Sequence, residues 1–236
     1  MEVIGVSHGL TQSEYRQWQS FAQRVGASNW HILDTGNPAH DAKHDRVHGA
    51  ENTYYEFGAY AQVAAVVQTQ GPYLILNNTL FKTRAVWAWG NRLHALPQKL
   101  TFPIYGDATP SPNSQIPEIP SPYYASWLFL VRDKDSLAGF CAAVQRATQQ
   151  AITEESPAYK AYLAEWLMPK NRWYGWHGAK TPENLARKGK TIRWEHRLSI
   201  ELATLNIHSF ARLGPWHIAV QTLDKIKRHW ASFVKY

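Results

Sequence analysis

A short apolar segment that ends on three polar residues sets the fold we expect for this chain. Residues 73–76 are apolar, a Gly-Pro pair precedes them, and Asn77, Asn78 and Thr79 follow. Such a short run between breaking residues predicts a buried strand rather than a helix. Ligands of parallel α/β sheets bind outside the carboxyl ends of the strands, so these polar side chains would line a crevice. Alternatively, Asn78 or Thr79 only caps a helix that begins at Leu80.

Strands and helices alternate before this segment. Residues 3–7 predict a first strand, and the helix after it begins with Thr11 and Glu14 at the spacing of a capping box. Residues 30–33 predict a second strand, and residues 57–67 predict another helix with an apolar face. A strand, helix, strand order is typical of parallel pairing. We therefore expect an α/β fold with a Rossmann-like, mostly parallel central sheet flanked by helices.

The middle of the chain is predicted to contain a long loop. Residues 80–96 are predicted to be a helix, whereas residues 97–122 are rich in Pro, Ser, Gly and Asn and have little periodicity. A long segment of this composition inside a compact domain is usually a functional or a disordered loop, and we interpret it as a loop insertion. Residues 123–131 then predict a strand, and residues 135–149 predict a helix.

The last third of the chain, residues 157–236, is predicted to be mainly helical. Pro157 suits a first helical turn, residues 171–190 are interpreted as irregular, and residues 216–234 predict a final helix. A chain of this length without internal repeats fits one domain with one substantial core. We therefore expect a single domain over residues 1–236.

An excess of positive charge narrows the class of partner. The chain carries 25 Lys and Arg residues against 18 Asp and Glu residues, a formal net charge of +7. This charge favours an anionic partner, whether the diphosphate of a nucleotide, a nucleic acid or an acidic membrane surface, without choosing among them. The apolar segments are too short to span a membrane, and the start of the chain lacks the basic segment of a signal peptide. We expect a cytoplasmic protein.

Three spaced histidines and the single cysteine each have both a chemical and a structural interpretation. His40, His44 and His48 would share a face of a helix and could then bind a transition metal, but the surrounding composition equally fits a solvated loop. The single cysteine, Cys141, lies on a predicted apolar helix face, which favours packing over redox chemistry.

Taken in chain order, the segments resemble those of bacterial surface-polysaccharide glycosyltransferases of the rhamnan-synthesis type, within the wider GT-A group. The resemblance covers most of the chain. It rests on strand ends near residues 7 and 34, the helix start at residues 52–56, the strand end at residues 76–79, and the segments at residues 121–129 and 194–199. None of these segments is diagnostic alone, and their order carries the resemblance. The resemblance implies a GT-A-like fold with a helical C-terminal part on the acceptor side.

Two of these segments match the family's motifs with substitutions. At the helix start the family has Asn-x-Gly-x-Asp, where Asn52 matches, Tyr54 replaces the glycine and Glu56 stands for the aspartate. At the strand end the family has Asn-Asp-Thr or Asn-Asp-Ser, the counterpart of a metal-binding motif, and Asn78 replaces the aspartate. The resemblance implies a divalent Mg or Mn ion as cofactor, but an amide is a poor ligand for a hard cation, so we assign no metal ligand. Either cationic side chains and helix N-termini bind the diphosphate, or catalysis has been lost.

Glu195 lies where, by the resemblance, inverting GT-A enzymes place the carboxylate that deprotonates the acceptor hydroxyl. Such a general base must lie within hydrogen-bond reach of that hydroxyl and needs a pKa suited to neutral pH. The structural alternative is a surface carboxylate that pairs with Arg193 or Arg197, because three charges in five residues often mark a solvated face.

The resemblance also implies roles for the remaining candidates. The donor-binding residues would be Ser7, Asp34, Asn52, Glu56, Asn77, Asn78 and Thr79. The acceptor-binding residues would be Ser126, Trp127, Trp173, Trp176 and His177. The last three lie in a Gly-rich segment, and indole rings are suited to contact with a sugar face.

These observations predict a glycosyltransferase that moves a sugar from a nucleotide-sugar donor to a glycan or lipid-linked acceptor in O-antigen or capsule biosynthesis. Asn78 motivates one alternative, a catalytically silent sugar-binding or assembly subunit with the same fold. Charge and aromatic residues motivate another, a nucleic-acid-binding protein, although we expect no nucleic-acid partner. The final helix carries Lys225, Lys227, Arg228 and Lys235, which either hold the protein at an anionic membrane surface or are only solvated.

Overall fold

A mixed sheet of seven strands forms the centre of the computed structural model, which describes residues 1–37, 44–82, 100–109, 115–149, 155–170 and 175–210. The strands are β1 (Glu2–Ser7), β2 (Asn29–Asp34), β3 (Val47–Gly49), β4 (Tyr73–Asn77), β5 (Ile104–Thr109), β6 (Tyr123–Val131) and β7 (Ile207–Ser209). The helices are α1 (Gln12–Arg24), α2 (Glu56–Val66), α3 (Lys134–Gln149), α4 (Pro157–Leu167) and α5 (Pro182–Thr204), and a 3-10 helix (Asn78–Lys82) follows β4.

The strand order in the sheet is β3-β2-β1-β4-β6-β5-β7. Strand β1 pairs in parallel with β2 and β4, β2 with β3, and β5 with β7, whereas β6 is antiparallel to both of its neighbours. The expected α/β fold with a mostly parallel sheet is therefore confirmed. The chain proceeds from β1 towards one edge through β2 and β3, and then returns to the other side of β1 as β4. The carboxyl ends of β1 and β4 consequently flank a topological switch point, where α/β folds bind ligands.

Side chains of the strands alternate between the two faces of the sheet, as the pleat requires. On β1, Ile4 and Val6 join an apolar cluster with residues of α2, α3 and α5, whereas Val3 packs with residues of α1 on the other face. Gly5 lies against Trp18 of α1, where a Cβ atom would come within 2.9 Å of the indole ring. Each fully buried large apolar side chain contributes about 1.5–3 kcal/mol relative to its exposed state. The cluster that contains Ile4 and Val6 therefore holds α2 and α5 on the same face of the sheet.

Two predictions made from the local sequence are confirmed, the capping box of α1 and the burial of Cys141. The Thr11 hydroxyl accepts a hydrogen bond from the Glu14 amide at 3.2 Å, and the Glu14 carboxylate accepts one from the Thr11 amide at 3.2 Å, so α1 begins with a capping box. Cys141 is buried on α3 within the apolar cluster, as its position on an apolar face predicted, and burial raises the pKa of its thiol.

Two predicted irregular segments are wrong in part. Within the predicted loop of residues 97–122, residues 104–109 form β5, which pairs with β6 and β7, and the pairing partners lie too far along the chain to be apparent locally. Residues 171–190 were interpreted as irregular, but α5 already begins at Pro182, with the Thr181 hydroxyl accepting a hydrogen bond from the Asn184 amide at 3.3 Å. Without apolar periodicity in its basic first turns, only this cap marks the start of the helix.

Of the two interpretations of the histidine segment, the shared helix face is wrong for the two histidines that the structure describes. His48 lies on β3, and its Nε2 atom lies 3.0 Å from Nδ1 of His31 on β2. Across the described ranges, no group of three or more His, Cys, Asp or Glu side chains is arranged to hold a metal ion. None of the helices in those same ranges has the length and apolar character needed to cross a bilayer.

Some predicted features lie outside the described residues. These are His40, Trp173, most of the predicted helix at residues 80–96, and the predicted final helix at residues 216–234 with its cationic side chains.

Candidate functional site

An open crevice of about 370 Å³ lies at the carboxyl ends of β1, β2 and β4. Its position is the topological switch point of the sheet, and its volume lies in the range of small-ligand sites. The predicted site residues that line it are Ser7, Asn52, Glu56, Asn77, Asn78, Thr79 and Trp176. The other lining residues are Val6, His8, Thr35, Tyr55, Arg187, Lys188 and Thr191.

The end of β4 supplies polar groups to the crevice in two ways. The Asn77 side chain is buried, and its Oδ1 atom accepts a hydrogen bond from the Thr79 amide at 3.0 Å, which begins the 3-10 helix. The residue that caps this turn is therefore Asn77, whereas the sequence suggested Asn78 or Thr79. Those two side chains are half-buried and line the crevice.

The end of β1 places an unpaired hydroxyl beside the same crevice. Ser7 is only 2% exposed, and its Oγ atom has no hydrogen-bond partner among the described residues. Buried hydroxyl groups nearly always have a partner, so this one is a candidate contact for a ligand or a water molecule. Next to it, Nδ1 of His8 lies 3.2 Å from Oγ1 of Thr35, which joins the ends of β1 and β2 across the mouth of the crevice.

Asp34 does not line the crevice but positions one of its walls. Its Oδ1 atom accepts hydrogen bonds from the amides of Gly9 at 2.8 Å and Gly36 at 2.9 Å, and its Oδ2 atom accepts one from Leu10 at 3.0 Å. The two loops touch through their backbones, since a Cβ atom on Gly36 would lie 2.2 Å from the Gly9 nitrogen. The buried carboxylate thus holds the loop after β1, including His8, against the end of β2.

The turn before α2 adopts a costly backbone conformation at the crevice. Tyr55 has φ of 53° and ψ of −137°, a region that non-glycine residues rarely occupy. Such strain costs of order 1–3 kcal/mol and is typical of functional sites. The rings of Tyr54 and Tyr55 pack against Trp194 of α5, with centroids 5.6 and 6.0 Å away, which helps to hold the turn. The positive φ falls on Tyr55 and not on Tyr54.

Helix α5 contributes two cationic side chains to the crevice that the sequence did not predict. Arg187 is exposed, with its guanidinium carbon 5.9 Å from the centroid of the Tyr55 ring. Lys188 is half-buried, with its ammonium nitrogen 5.6 Å from the Trp166 ring. Both were hidden because the basic segment was interpreted as irregular. The Thr-Pro pair at residues 181–182 is the signal that would have predicted a helix there.

The side chains that line the crevice do not provide the paired carboxylates that would hold a metal ion. Of the described lining residues, Glu56 alone has a carboxylate, and the strand end offers only the amides of Asn77 and Asn78 with the hydroxyl of Thr79. Magnesium and manganese favour carboxylate oxygens. Two cationic side chains in the same lining disfavour a further cation there.

Glu195, the predicted general base, is half-buried beside the crevice and is not among its lining residues. Its Oε1 atom accepts a hydrogen bond from the Ser126 amide at 2.7 Å. Burial raises the pKa of this carboxyl and the charge of Glu56 adds to the rise, whereas Lys188 and the hydrogen bonds of Ser126 act in the opposite direction. The structural alternative of a pair with Arg193 is wrong, because Arg193 binds both carboxylate oxygens of Glu155.

The predicted acceptor-binding residues are not brought together. Ser126 is buried in β6, and its carbonyl accepts a hydrogen bond from the Tyr60 hydroxyl at 2.6 Å. The Trp127 indole donates to a carboxylate oxygen of Asp107 at 2.7 Å and packs in the cluster on the α1 face. His177 is exposed outside the crevice, so Trp176 is the one of the described candidates that lines it.

The geometry of the crevice is the basis for assigning a function. No protein-family model, no curated protein and no solved structure gives a significant match to this chain.

Proposed function

We propose that the chain is a GT-A-like glycosyltransferase that transfers a sugar from a nucleotide-sugar donor to a glycan or lipid-linked acceptor in bacterial surface-polysaccharide biosynthesis. One observation carries the proposal. The segments around Ser7, Asn52, Glu56 and residues 77–79 lie far apart in the sequence but line a single crevice at the switch point of a mostly parallel sheet. These are the segments that the family resemblance assigns to the donor.

In this proposal the crevice divides into two regions. Asn52 and the loop held by Asp34 contact the nucleoside, and Glu56 with residues 77–79 faces the sugar and its diphosphate. The acceptor approaches from the side of Trp176. The assignments are supported by the presence of Asn52, Glu56, residues 77–79 and Trp176 in the lining of one crevice.

Two carboxylates are candidates for the general base. Glu195 has a raised pKa, which suits a base at neutral pH, but one of its oxygens already accepts a hydrogen bond from β6. Glu56 lines the crevice directly. We propose Glu195 as the general base. A Glu195 variant that transfers sugar at the normal rate would favour Glu56 instead.

Thermal-shift measurements with nucleoside diphosphates test the donor site. A ligand at 100 times its Kd stabilises the native state by about 2.7 kcal/mol, which would raise the Tm by several degrees. The nucleotide sugars of any stabilising base are then incubated with the protein, and release of the nucleoside diphosphate is measured. The proposal is rejected if no nucleoside diphosphate stabilises the protein and no nucleotide sugar is consumed.

A silent sugar-binding or assembly subunit is the second candidate, and Asn78 in place of the family's aspartate favours it. Such a subunit would bind a nucleotide sugar in a calorimetric titration but never release nucleoside diphosphate. Turnover above the rate of a sample without protein would exclude it.

We also propose a cytoplasmic location with peripheral contact to the inner membrane face. The proposal rests on the sequence of residues 216–234, with its Lys and Arg side chains interleaved with aromatic residues. Sedimentation with anionic liposomes tests it. Binding should weaken with salt and when Lys225, Lys227 and Arg228 are changed to Gln, and an absence of binding at low salt would contradict it.

A further inference from the structure

Two consecutive cations of α5 line the crevice that contains the end of β4. Arg187 and Lys188 share this lining with Asn78 and Thr79. The chain therefore brings positive charge to the strand end at which the family's pattern has a carboxylate. Only the fold reveals this, because more than a hundred residues separate the two segments in the sequence.

Among the residues that the structure describes, neither of these two side chains forms a salt bridge with a carboxylate. The described hydrogen bond of the Arg187 guanidinium, at 3.3 Å, goes to the neutral side-chain oxygen of Asn184. Lys188 lies near the Trp166 ring, and its charge also acts on the buried carboxyl of Glu195, where it is the largest of the effects that lower the pKa. By contrast, Arg193 on the same helix is held by Glu155. The described lining of the crevice thus carries two cations and one carboxylate, that of Glu56.

The helix that bears the pair is anchored on the sheet. Glu195 and Ser199 of α5 accept hydrogen bonds from the amides of Ser126 and Tyr124 on β6, at 2.7 and 2.8 Å. The Arg187 guanidinium carbon lies 5.9 Å from the centroid of the Tyr55 ring, at cation–π distance. A cationic pair on an anchored helix is prepared for an anion before the anion arrives, which reduces the entropy lost on binding.

We propose that Arg187 and Lys188 bind the diphosphate of the donor directly, so that donor binding requires no divalent metal ion. The proposal rests on the proposed function and adds the chemistry by which the crevice holds its anionic ligand. Arginine presents a planar set of donors that matches two phosphate oxygens, and lysine adds a mobile point charge. The amides of Asn77 and Asn78 then contact neutral parts of the ligand instead of coordinating a metal.

Inorganic pyrophosphate is the first probe, because it carries the diphosphate without a base or a sugar. Calorimetric titration of the intact protein is performed in EDTA and in Mg²⁺ or Mn²⁺, and is repeated with UDP, dTDP, GDP and ADP. We expect pyrophosphate to bind in EDTA and to compete with at least one nucleoside diphosphate. Binding should also weaken with ionic strength, since exposed charges are screened by salt.

Substitutions on α5 test which cations bind pyrophosphate. Arg187→Gln and Lys188→Gln should each weaken pyrophosphate binding roughly 10-fold, and the double variant roughly 100-fold or more, as expected for hydrogen bonds to a charged group. Lys190→Gln is the matched control, because Lys190 is exposed on the same helix and does not line the crevice. It should bind pyrophosphate like the unmodified protein. Circular dichroism confirms that each variant is folded.

The outcomes separate this inference from the proposed function. Binding that disappears in EDTA and returns with a metal ion overturns the inference, as does a double variant that binds normally. If nucleotide sugars are turned over while neither substitution changes pyrophosphate binding, the proposed transferase function is retained and the role of Arg187 and Lys188 is rejected. If the pair binds pyrophosphate but no nucleotide sugar is bound or consumed, the anion site stands and the transferase is rejected. Failure of pyrophosphate and all four nucleoside diphosphates to bind overturns both.

Discussion

Glu195 on α5 accepts a hydrogen bond of 2.7 Å from the amide of Ser126, at the place where β6 extends past the end of β4. The pairing of β6 with β5 is also irregular there, because the register shifts between Gly106 and Asp107. Ser126 therefore lies outside the regular ladders, and its carbonyl is satisfied by the Tyr60 hydroxyl at 2.6 Å. Two side chains thus satisfy the backbone of one strand residue, since buried backbone polar groups need partners.

The first prediction separates the structural and catalytic roles of Glu195. In Glu195→Gln the amide oxygen can still accept the hydrogen bond from Ser126, so the Tm should change little while sugar transfer falls roughly 100-fold or more if Glu195 is the general base. In Glu195→Ala the Ser126 amide loses its partner, and unfolding free energy should fall by about 1–3 kcal/mol. Thermal melts and donor turnover measure the two effects.

Two variants complete this comparison. Glu201→Gln on the same helix removes a carboxylate that pairs with Arg146 near the surface, and should leave both readouts almost unchanged. If Glu195→Gln transfers sugar at the normal rate, the base is another group, and Glu56→Gln becomes the decisive variant because Glu56 lines the crevice.

The second prediction concerns the Asp34 carboxylate, which accepts hydrogen bonds from the amides of Gly9, Leu10 and Gly36. Asp34→Ala should lower the unfolding free energy by about 2 kcal/mol, because three backbone amides lose the buried carboxylate that accepts their hydrogen bonds. Nucleoside diphosphate binding should weaken as well, since the loop with His8 forms part of the crevice wall. Denaturant unfolding and titration calorimetry check both changes.

A nearby exposed carboxylate provides the comparison for Asp34. Asp45 lies on the surface between the end of β2 and β3, and Asp45→Ala should leave stability and binding close to normal. An Asp34→Ala variant with unchanged stability but lost binding would instead assign Asp34 to direct contact with the nucleoside.

The third prediction concerns acid stability and Glu2, which is buried at the start of β1. Burial alone would raise the pKa of this carboxyl, but hydrogen bonds from His31, Thr69 and the Gln68 amide together lower it to about 2. A folded pKa below the unfolded one means that Glu2 stabilises the protein above the unfolded pKa of 4.5, and that this stability is lost as the pH falls from about 5 towards 2.

Urea unfolding at several pH values between 7 and 3 measures this dependence. Each proton taken up on unfolding changes the stability by about 1.4 kcal/mol per pH unit, so Glu2→Gln should flatten the acid side of the curve. Glu165→Gln on the exposed face of α4 should keep the original slope. Identical slopes for Glu2→Gln and the unmodified protein would show that other groups cause the acid sensitivity.

The sequence predicts those parts of the fold that depend on neighbouring residues. Strands β1, β2 and β4 are short apolar runs between breaking residues, and the capping box of α1 lies within four residues, so both are local signals. Strand β5 was missed because Gly106 and Asp107 interrupt its apolar pattern, and its place in the sheet depends on pairing with β6 and β7. The start of helix α5, at residues 182–190, was interpreted as irregular because this segment has no apolar periodicity.

The same distinction applies to the site. The end of β4 was predicted to line a crevice because ligands bind outside the carboxyl ends of parallel strands, and the family resemblance added Ser7 at the end of β1; both line one crevice. Arg187 and Lys188 were not predicted, because their approach depends on how α5 packs across the sheet. Asp34 and Ser126 were expected to meet a ligand, but both are bonded to neighbouring protein groups. Residue types therefore indicated polar chemistry, whereas tertiary contacts determine which groups are directed inward.

The last prediction uses Asn78, whose side chain lines the crevice together with Arg187 and Lys188. Asn78→Asp adds a negative charge at the strand end, where it repels a diphosphate and attracts a cation. Pyrophosphate binding in EDTA should weaken roughly 10-fold, and Mg²⁺ or Mn²⁺ should recover most of the loss. The ratio of the affinities with and without metal would rise from near one to roughly ten. Calorimetric titrations under both conditions measure this ratio.

Asn52→Asp is the matched control, because Asn52 also lines the crevice but lies before α2 and outside the strand end. The same added charge there should weaken pyrophosphate binding without creating a dependence on metal, since hard divalent ions need several oxygen ligands in one cluster. If Asn78→Asp binds pyrophosphate with normal affinity in EDTA and Mg²⁺ does not change that affinity, the end of β4 does not face the diphosphate. The anion then lies nearer the start of α2, and the donor would have to bind in the opposite orientation within the crevice.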